Sequence, residues 1–341
     1  MRYIGGKSLL LNNIQNAIIQ YTDGNVKKIT DIFSGSGVVG KFMKEQGYSI
    51  ISNDLLYFSY AIARGTTGVN SVPKFKSLEI KDPIGYLNQI VEDTDSLNRE
   101  NCFIYENYSP NENCERMYFQ NDNALRIDII RKQIEDWKHD ELITEDEYYY
   151  LLASLLQAVP YVANITGTFG SYLKFWDKRT YNRLTLEPPQ IIKGKKCECY
   201  CGDYTKILSK KSDVLYADPP YNSREYLPNY HVMETIARYD NPVIRGVTGI
   251  RDYSEQKSAF CKKATVEEAF KKLIEGSNSR YILISYNNEG IMSTEALSAI
   301  CKAYAVPDTF RLIESDYRRY KNKIPNNTEG LKEQLYFLKR R

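Results

Sequence analysis

A tetrapeptide at the end of a strand-like segment is the residue group best suited to chemistry. Asp218-Pro219-Pro220-Tyr221 follows the apolar run 212–217, and α/β sheets bind ligands at the carboxyl ends of their strands. The two prolines fix the backbone and remove two N–H donors, which leaves carbonyl oxygens directed at a substrate. A carboxylate and a rigid carbonyl can accept both hydrogens of an amino group, and the tyrosine can stack on the ring that carries it. The pattern indicates a site for an aromatic amine.

A glycine-rich turn earlier in the chain offers a second ligand site. The segment 35–40 has G-x-G-x-x-G spacing and joins a predicted strand, 26–33, to a predicted helix, 38–46. Glycines let a ligand approach the backbone, and the helix N-terminus presents free N–H groups. Asp54, at the end of the next predicted strand, is placed to accept hydrogen bonds from ribose hydroxyls. By itself the turn fits a nicotinamide dinucleotide, another adenosine-containing ligand, or a tight turn that binds nothing.

An α/β sheet would bring these two segments together. The strand–helix–strand pattern over 26–54 is typical of the start of a doubly wound parallel sheet. Further strands are predicted at 197–201, 214–217, 281–285 and 334–338. The sheet therefore starts, stops for a long insertion and resumes.

The inserted part has a different character from the sheet. A polar, irregular stretch is followed by two predicted helices, 121–138 and 144–159. Long insertions in α/β folds usually carry specificity. We predict a catalytic, ligand-binding domain made of residues 1–69 and 191–341, and an inserted recognition region made of residues 70–190.

The composition limits the class of protein. The chain has 341 residues, 42% hydrophobic and 26% charged, which excludes a disordered or collagen-like chain. The formal net charge is only +3, so any contact with nucleic acid must come from local basic patches. No segment has the ~18 uninterrupted apolar residues of a membrane span, and no secretory signal is recognisable. We expect a cytoplasmic protein without a membrane partner.

The seven cysteines are an odd number in a long chain, which favours free thiols in a reducing compartment. Cys197, Cys199 and Cys201 alternate along a predicted strand, so they share one face. A metal site would ordinarily need a fourth ligand and wider spacing. We therefore expect buried strand cysteines and no metal.

Four blocks of the chain resemble, in the same order, the motifs of a known family. The blocks are Tyr3–Lys7, Asp31–Gly40, Asp218–Tyr221 and Ile284–Gly290. They resemble those of the D12 class of N6-adenine-specific DNA methyltransferases, which includes Dam-type and several restriction-associated enzymes. The resemblance implies an α/β fold: a Rossmann-like S-adenosylmethionine-dependent methyltransferase sheet with helices on both faces and a large inserted target-recognition region.

The resemblance also implies roles for individual residues. Tyr3 and Lys7 would contact the methionine end of S-adenosylmethionine. Asp54 would bind its ribose and Asp203 its adenine amine, while Asp31 would bind the methionine ammonium or orient the loop. The implied cofactor-binding residues are Tyr3, Lys7, Asp31, Phe33, Ser34, Gly35, Gly37, Asp54, Asp203, Tyr204 and Asp218. The implied catalytic residues are Asp218, Pro219, Pro220 and Tyr221.

The implied reaction is direct methyl transfer to N6 of an adenine that has been flipped out of double-stranded DNA. The Asp218 carboxylate and the Pro219 carbonyl would accept the amino hydrogens, and Tyr221 would stack on the base. A basic, aromatic, glycine-hinged loop, 164–183, suits DNA contact, and a second basic patch, 316–323, suits phosphates. The expected DNA-binding residues are Lys174, Lys178, Arg179, Arg183 and Arg224.

The expected partners are double-stranded DNA and a cognate restriction endonuclease acting on the same site, and a monomer would suffice. Two alternatives share the chemistry: N4 methylation of cytosine and adenine methylation of RNA. A nicotinamide oxidoreductase would use the same glycine turn, but it leaves the Asp-Pro-Pro-Tyr tetrapeptide unexplained. A non-catalytic DNA-binding protein of the same fold is a further alternative, against which the intact Asp218 and glycine turn argue.

Overall fold

The computed structural model describes residues 5–93, 99–316 and 330–341. Tyr3 lies outside the described residues, as does all of the basic patch 316–323 except the backbone of its first residue. The roles suggested for them stay predictions.

The described residues form ten α-helices and nine strands. The helices are α1 Leu11–Tyr21, α2 Val38–Glu45, α3 Tyr57–Thr66, α4 Pro83–Gln89, α5 Phe103–Tyr108, α6 Asn121–His139, α7 Glu145–Ala158, α8 Leu227–Arg238, α9 Val266–Gly276 and α10 Thr294–Tyr304. The strands are β1 Lys28–Asp31, β2 Ser49–Asp54, β3 Glu198–Cys201, β4 Ser212–Ala217, β5 Ile244–Arg245, β6 Ile250–Arg251, β7 Ser279–Asn287, β8 Arg311–Asp316 and β9 Lys332–Lys339.

Seven strands form one sheet, in the order β3-β2-β1-β4-β7-β9-β8. The first five strands in this order, β3, β2, β1, β4 and β7, run parallel to one another. Strand β9 runs antiparallel to both β7 and β8. Strands β2 and β3 lie on one side of β1, and β4 and β7 lie on the other. The direction in which successive strands are added therefore reverses between β1 and β4. Sheets of this type bind ligands in the crevice at that point.

Helices cover both faces of the sheet, which confirms the predicted fold class. Successive side chains of β7 pack against helices on opposite faces of the sheet. Ile282 lies in a hydrophobic cluster with residues of α9 and α10, while Leu283 lies in a cluster with residues of α1 and α2. Successive side chains of a strand point to opposite faces, and strands buried on both faces are apolar throughout. This explains why the predicted strands appear as continuous apolar runs.

The inserted region shares a hydrophobic core with the sheet-bearing part. One cluster joins α3 and α8, which flank the sheet, to α4, α6 and α7 of the insertion. The predicted helices 121–138 and 144–159 correspond to α6 and α7. Packing is therefore continuous across residues 69/70 and 190/191, and the division into a catalytic and a recognition region stays a functional prediction.

All seven cysteines lie in the described part of the chain and none forms a disulfide. The expectation of three buried strand cysteines is wrong for Cys201, which is exposed, and Cys199 is only partly buried. The reason is that β3 is an edge strand. Over the described ranges, no group of residues suited to hold a metal ion is found. Within the same ranges, no helix is long and apolar enough to cross a membrane.

Candidate active site

Three carboxylates meet at the carboxyl edge of the sheet. Asp31 is the last residue of β1, Asp54 is the last residue of β2, and Asp218 directly follows β4. Because the three strands are parallel neighbours, their C-terminal ends lie side by side. All three residues line a single cleft, together with the glycine turn and Lys7.

The glycine turn is held by the strand beside it. Gly35 and Gly37 have positive φ angles of 50° and 73°, which glycine adopts without steric cost. The Asp54 carboxylate accepts hydrogen bonds from the Gly35 N–H at 2.6 Å and the Leu56 N–H at 2.9 Å. Ser34 N–H donates to the Asn53 carbonyl at 2.8 Å. Asp54 therefore orients the backbone around the cleft, and each of its oxygens can still accept a hydrogen bond from a ligand.

Burial raises the pKa of Asp54 to about 6, although its backbone hydrogen bonds act in the opposite direction. Asp31 is more perturbed. It is 1% exposed, and within the described ranges neither carboxylate oxygen has a hydrogen-bond partner. Burial, with the charges of Asp218 and Asp54, raises the pKa of Asp31 to about 8. A buried, unpartnered carboxylate beside a cleft is suited to a cationic ligand group.

Aromatic side chains form one wall of the cleft. The Phe33 ring centroid lies 5.6 Å from that of Tyr204 and 5.3 Å from that of Phe260. Asp203 is exposed, lies beside this wall and accepts a hydrogen bond from the Thr205 N–H at 2.9 Å. An apolar wall with an acid next to it can accommodate a planar heterocycle that carries an amino group.

The tetrapeptide after β4 forms a polar cluster on the other side of the cleft. The Tyr221 hydroxyl donates to Asp218 Oδ1 at 2.5 Å, and Lys7 Nζ lies 3.2 Å from the same oxygen. Lys7 also donates to the Tyr221 hydroxyl. Burial raises the pKa of Asp218, and the Lys7 ammonium opposes that rise. The carboxylate is thus held by two donors on one oxygen and borders the cleft.

Comparison with known proteins shows the family of this chain. Residues 3–300 match the sequence model of the D12 class N6 adenine-specific DNA methyltransferases. The chain belongs to this family.

Curated relatives agree with that assignment. The type II methyltransferase M.FokI of Planomicrobium okeanokoites is 43% identical over 345 residues, which covers 100% of this chain and 53% of the relative. The modification methylase StsI of Streptococcus sanguinis is 40% identical over 347 residues, covering 100% of this chain and 52% of the relative. The type II methyltransferase M.NlaIII of Neisseria lactamica is 35% identical over 325 residues, covering 94% and 92%. The chain spans about half the length of the first two relatives.

In this D12 class methyltransferase, the structure adds site residues that sequence reasoning missed. Glu333, on β9, is 3.6 Å from Lys7 Nζ and accepts from the Tyr221 hydroxyl at 3.5 Å. Ser285 Oγ, on β7, is 3.1 Å from the same hydroxyl. Ser285 lies inside a block used for the family resemblance, so it could have been singled out. Glu333 lies beyond all four blocks, and no local pattern distinguishes it.

A buried carboxylate from α8 supports the turn that carries Asp54. Glu234 is fully buried and accepts hydrogen bonds from the N–H groups of Tyr57 and Phe58, at the start of α3. Gln256, which lines the cleft, donates to Glu234 at 2.8 Å and to the Leu55 carbonyl at 3.3 Å. This polar network was not anticipated, because no sequence motif links α8 to α3.

The residues expected to bind DNA fall into two groups. Arg179 and Arg183 line a groove that also includes Ser36 and Val38. Ser36 and Val38 also line the cleft that contains the three carboxylates. Arg179 is partly engaged within its own loop, because it bonds to Asp177 and to the Ile165 carbonyl. The other group consists of exposed side chains that line neither the groove nor the cleft: Lys174, Lys178 and Arg224.

Tyr221 is placed differently from a free stacking platform. Lys7 Nζ lies 4.6 Å from its ring centroid, and the Tyr286 ring lies 4.9 Å away on a steep tilt. Its hydroxyl points toward Asp218. Stacking of Tyr221 on a flipped base therefore stays a prediction.

Proposed function

We propose that this chain transfers a methyl group from S-adenosylmethionine to N6 of an adenine flipped out of double-stranded DNA at a short specific sequence. The observation that carries the proposal is the shared cleft: the Asp218 carboxylate borders the same space as the glycine turn and the unpartnered Asp31 carboxylate. A base amine held at Asp218 would be next to a cofactor held by the turn. Membership of the family and the names of the relatives support the same reaction.

The residues of the cleft fit S-adenosylmethionine. Asp31 would pair with its ammonium group, because that pairing would compensate a buried charge that no cationic side chain in the described part of the chain is shown to pair with. Phe33 and Tyr204 would pack against its adenine, and Asp203 would accept a hydrogen bond from the adenine amine. Asp54 would accept from the ribose while it keeps the glycine turn in place. When bound, the cofactor supplies an electrophilic methyl group on a positively charged sulfur.

The catalytic task of the protein is to make a weak nucleophile attack. The lone pair of adenine N6 is delocalised into the ring. Asp218 and the Pro219 carbonyl would accept the two N6 hydrogens and so localise that lone pair on nitrogen, with acceptors that are already in position. Holding the amine in line with the methyl group supplies much of the acceleration. After transfer, the amine carries one proton too many, and Asp218 or solvent takes it.

The inserted region 70–190 would select the sequence, with Lys174, Lys178, Arg179, Arg183 and Arg224 contacting DNA. The groove containing Arg179 and Arg183 supports this role, since it adjoins the cofactor cleft. The printed names of the relatives suggest a restriction–modification context, so a cognate restriction endonuclease acting on the same site is part of the proposal. So are a monomeric enzyme and a cytoplasmic location.

Sequencing DNA from cells that express this chain, with detection of modified bases, tests the proposal directly. The expected result is N6-methyladenine at one short sequence motif. N4-methylcytosine, or modified adenine found only in RNA, would support an alternative acceptor instead. Calorimetric titration supplies the cofactor test: S-adenosylhomocysteine should bind, and tight binding of NAD with none of S-adenosylhomocysteine would contradict the proposal.

A further inference from the structure

A carboxylate from a distant strand reaches the catalytic tetrapeptide. Glu333 lies on β9, which pairs antiparallel with β7, and its side chain is 7% exposed. Its Oε2 atom is 3.6 Å from Lys7 Nζ and 3.5 Å from the Tyr221 hydroxyl. No sequence block used to identify the family includes this residue, and the reaction described above does not use it.

The charges around Glu333 are unequal. Lys7 is 3% exposed, and its one ammonium is shared by two carboxylates, Asp218 at 3.2 Å and Glu333 at 3.6 Å. Among the described residues, the titratable groups that face Glu333 are Lys7, from the segment before α1, and Asp218, Tyr221 and Tyr216, on or after β4. The cluster therefore carries one more negative than positive charge when both carboxylates are ionised.

Sharing the ammonium has a consequence for Asp218. If Lys7 paired with Asp218 alone, the ion pair would be tighter, and the carboxylate would be a weaker acceptor for the amino group of a base. A second carboxylate draws Lys7 away from Asp218 and leaves more negative charge on the Asp218 carboxylate, which borders the cleft. The Tyr221 hydroxyl stands between the two acids: its proton is directed at Asp218 Oδ1, 2.5 Å away, and Glu333 Oε2 lies 3.5 Å from the same hydroxyl oxygen.

We propose that Glu333 is a positioning residue for methyl transfer: it shares Lys7 with Asp218 and holds the Tyr221 hydroxyl, so that Asp218 accepts strongly from the target amine. This inference rests on the proposed function. It assigns Glu333 no contact with the cofactor or the base. Its effect passes through Lys7 and Tyr221.

Glu333→Gln is the decisive variant, since it removes the charge and keeps the shape. We expect kcat to fall up to about 100-fold, because Lys7 then pairs with Asp218 alone and the acceptor is both weakened and displaced. The KM for DNA and the affinity for S-adenosylhomocysteine should change little. The acid limb of the pH–kcat profile should move to lower pH, because Asp218 loses a like-charged neighbour and keeps its proton less tightly.

Two further variants complete the test. Glu333→Asp keeps the charge at a longer distance from Lys7, so it should lose less kcat than Glu333→Gln and shift the acid limb less. Glu314→Gln is the matched control: Glu314 lies on the adjacent strand β8, is exposed and pairs with Lys332 at 3.1 Å, away from the cluster. It should match the wild type in kcat and pH profile.

A wild-type kcat and an unmoved acid limb in Glu333→Gln would overturn the proposal. Evidence for a merely structural role would also overturn the proposal. In that case Glu333→Gln would have a lower melting temperature and weaker S-adenosylhomocysteine binding, and the acid limb of its pH–kcat profile would not move to lower pH. If Glu333→Gln does not fold, a wild-type kcat and an unchanged pH–kcat profile in Glu333→Asp would also overturn the proposal. Inactivity of the wild-type chain on DNA would instead reject the proposed function, so the two failures are distinguishable.

Discussion

Buried carboxylates dominate the site at the scale of single residues. Asp31, Asp54, Asp218 and Glu333 lie around the cleft or the tetrapeptide, and Lys7 is the ammonium that the last two share. Each of the four has a raised pKa, with burial as the largest cause. Such clusters of perturbed acids mark functional sites more often than structural ones. Here Asp31 lies where the ammonium group of the proposed cofactor would be held, and Asp218 lies where the amine of the base would be held.

Asp218→Ala removes one of the two proposed acceptors for the N6 hydrogens. We expect the rate of methyl transfer to fall by about 100-fold or more, because the remaining Pro219 carbonyl cannot localise the lone pair alone. Lys7 keeps Glu333 as a partner, so the fold and the affinity for S-adenosylhomocysteine should be preserved. Transfer of labelled methyl groups to DNA measures the first quantity and calorimetric titration the second. Near-normal transfer would reject this role for Asp218.

Asp31→Asn separates cofactor recognition from catalysis. Loss of a charged partner for the ammonium should weaken S-adenosylhomocysteine binding about 10- to 100-fold. In the wild type this binding should strengthen between pH 6 and pH 7.5, because the bound ammonium favours ionised Asp31 and the proton is released. The asparagine variant should show a flatter dependence over that range. Equal affinities and equal slopes would show that Asp31 only orients the loop.

The same residue predicts how stability depends on pH. The folded-state pKa of Asp31 is about 8, above its usual value near 3.9. A carboxyl group with a raised pKa stabilises the folded state while protonated, and that contribution is lost as pH rises from about 4 through about 8. The ligand-free wild type should therefore lose melting temperature relative to Asp31→Asn between pH 6 and pH 8. A constant difference between the two proteins would contradict the assignment.

At the scale of elements, α3 connects the sheet to the insertion. Its N-terminal N–H groups are bound by Glu234 of α8, and its middle packs against α7. Gly65 makes that packing close: a Cβ there would lie 2.6 Å from Ala153 Cβ and would clash with the Tyr149 carbonyl oxygen. The position of α3 matters for the site because the helix begins just after Asp54 and its supporting turn.

Gly65→Ala should therefore destabilise the protein by about 3 kcal/mol or more, since the obstacle is helix backbone that cannot move aside cheaply. Gly167→Ala is the control, because nothing lies within 4 Å of a Cβ there. Urea unfolding followed by circular dichroism measures both. Equal stabilities would show that α3 and α7 can separate without cost, which would contradict the close packing.

The basic loop gives the second prediction at this scale. Lys174 and Lys178 are exposed, so replacing each with Ala should weaken DNA binding, lower the salt slope by about one and leave the melting temperature unchanged. Arg179→Ala should also lower the melting temperature, because its bond to the Ile165 carbonyl is lost. Fluorescence anisotropy at two salt concentrations checks the binding, with Lys272→Ala on α9 as the control. Unchanged slopes would mean that the loop does not contact phosphates.

At the scale of the whole molecule, the insertion and the sheet are not packed as separate bodies. A single hydrophobic cluster contains Phe58 of α3, Ile130 of α6, Leu152 of α7 and Met233 of α8. A domain with its own core could unfold alone, whereas residues that share a core tend to unfold together. The predicted recognition region and the predicted catalytic region therefore share a core, even though they are separate segments of the sequence.

Differential scanning calorimetry tests this coupling. We expect one unfolding transition for the whole chain, and S-adenosylhomocysteine should move that transition as a unit to higher temperature, because it binds only the folded state. Two resolved transitions, of which only one responds to the ligand, would show that residues 70–190 fold independently.

The sequence by itself determined much of the local structure and the family to which the chain belongs. Apolar runs predict β1, β4 and β7, the predicted helices 121–138 and 144–159 correspond to α6 and α7, and the tetrapeptide after β4 carries the family resemblance together with three other blocks. These features depend on backbone preferences and on neighbours in sequence, so a local pattern reports them. The same patterns could not show which distant side chains meet.

Tertiary structure alone decided those meetings. Glu333 reaches Lys7 because β9 inserts between β7 and β8, and strand order is set by packing of the entire sheet. Asp54 was expected to serve a ribose, yet its oxygens also hold the glycine turn, a bond that exists only once β1 and β2 are paired. Cys201 is exposed because its strand lies at an edge, which no alternation of residues encodes. In each case the outcome depends on which parts of the chain lie next to each other in space. That neighbourhood is fixed because burying both faces of the sheet favours one arrangement of the strands.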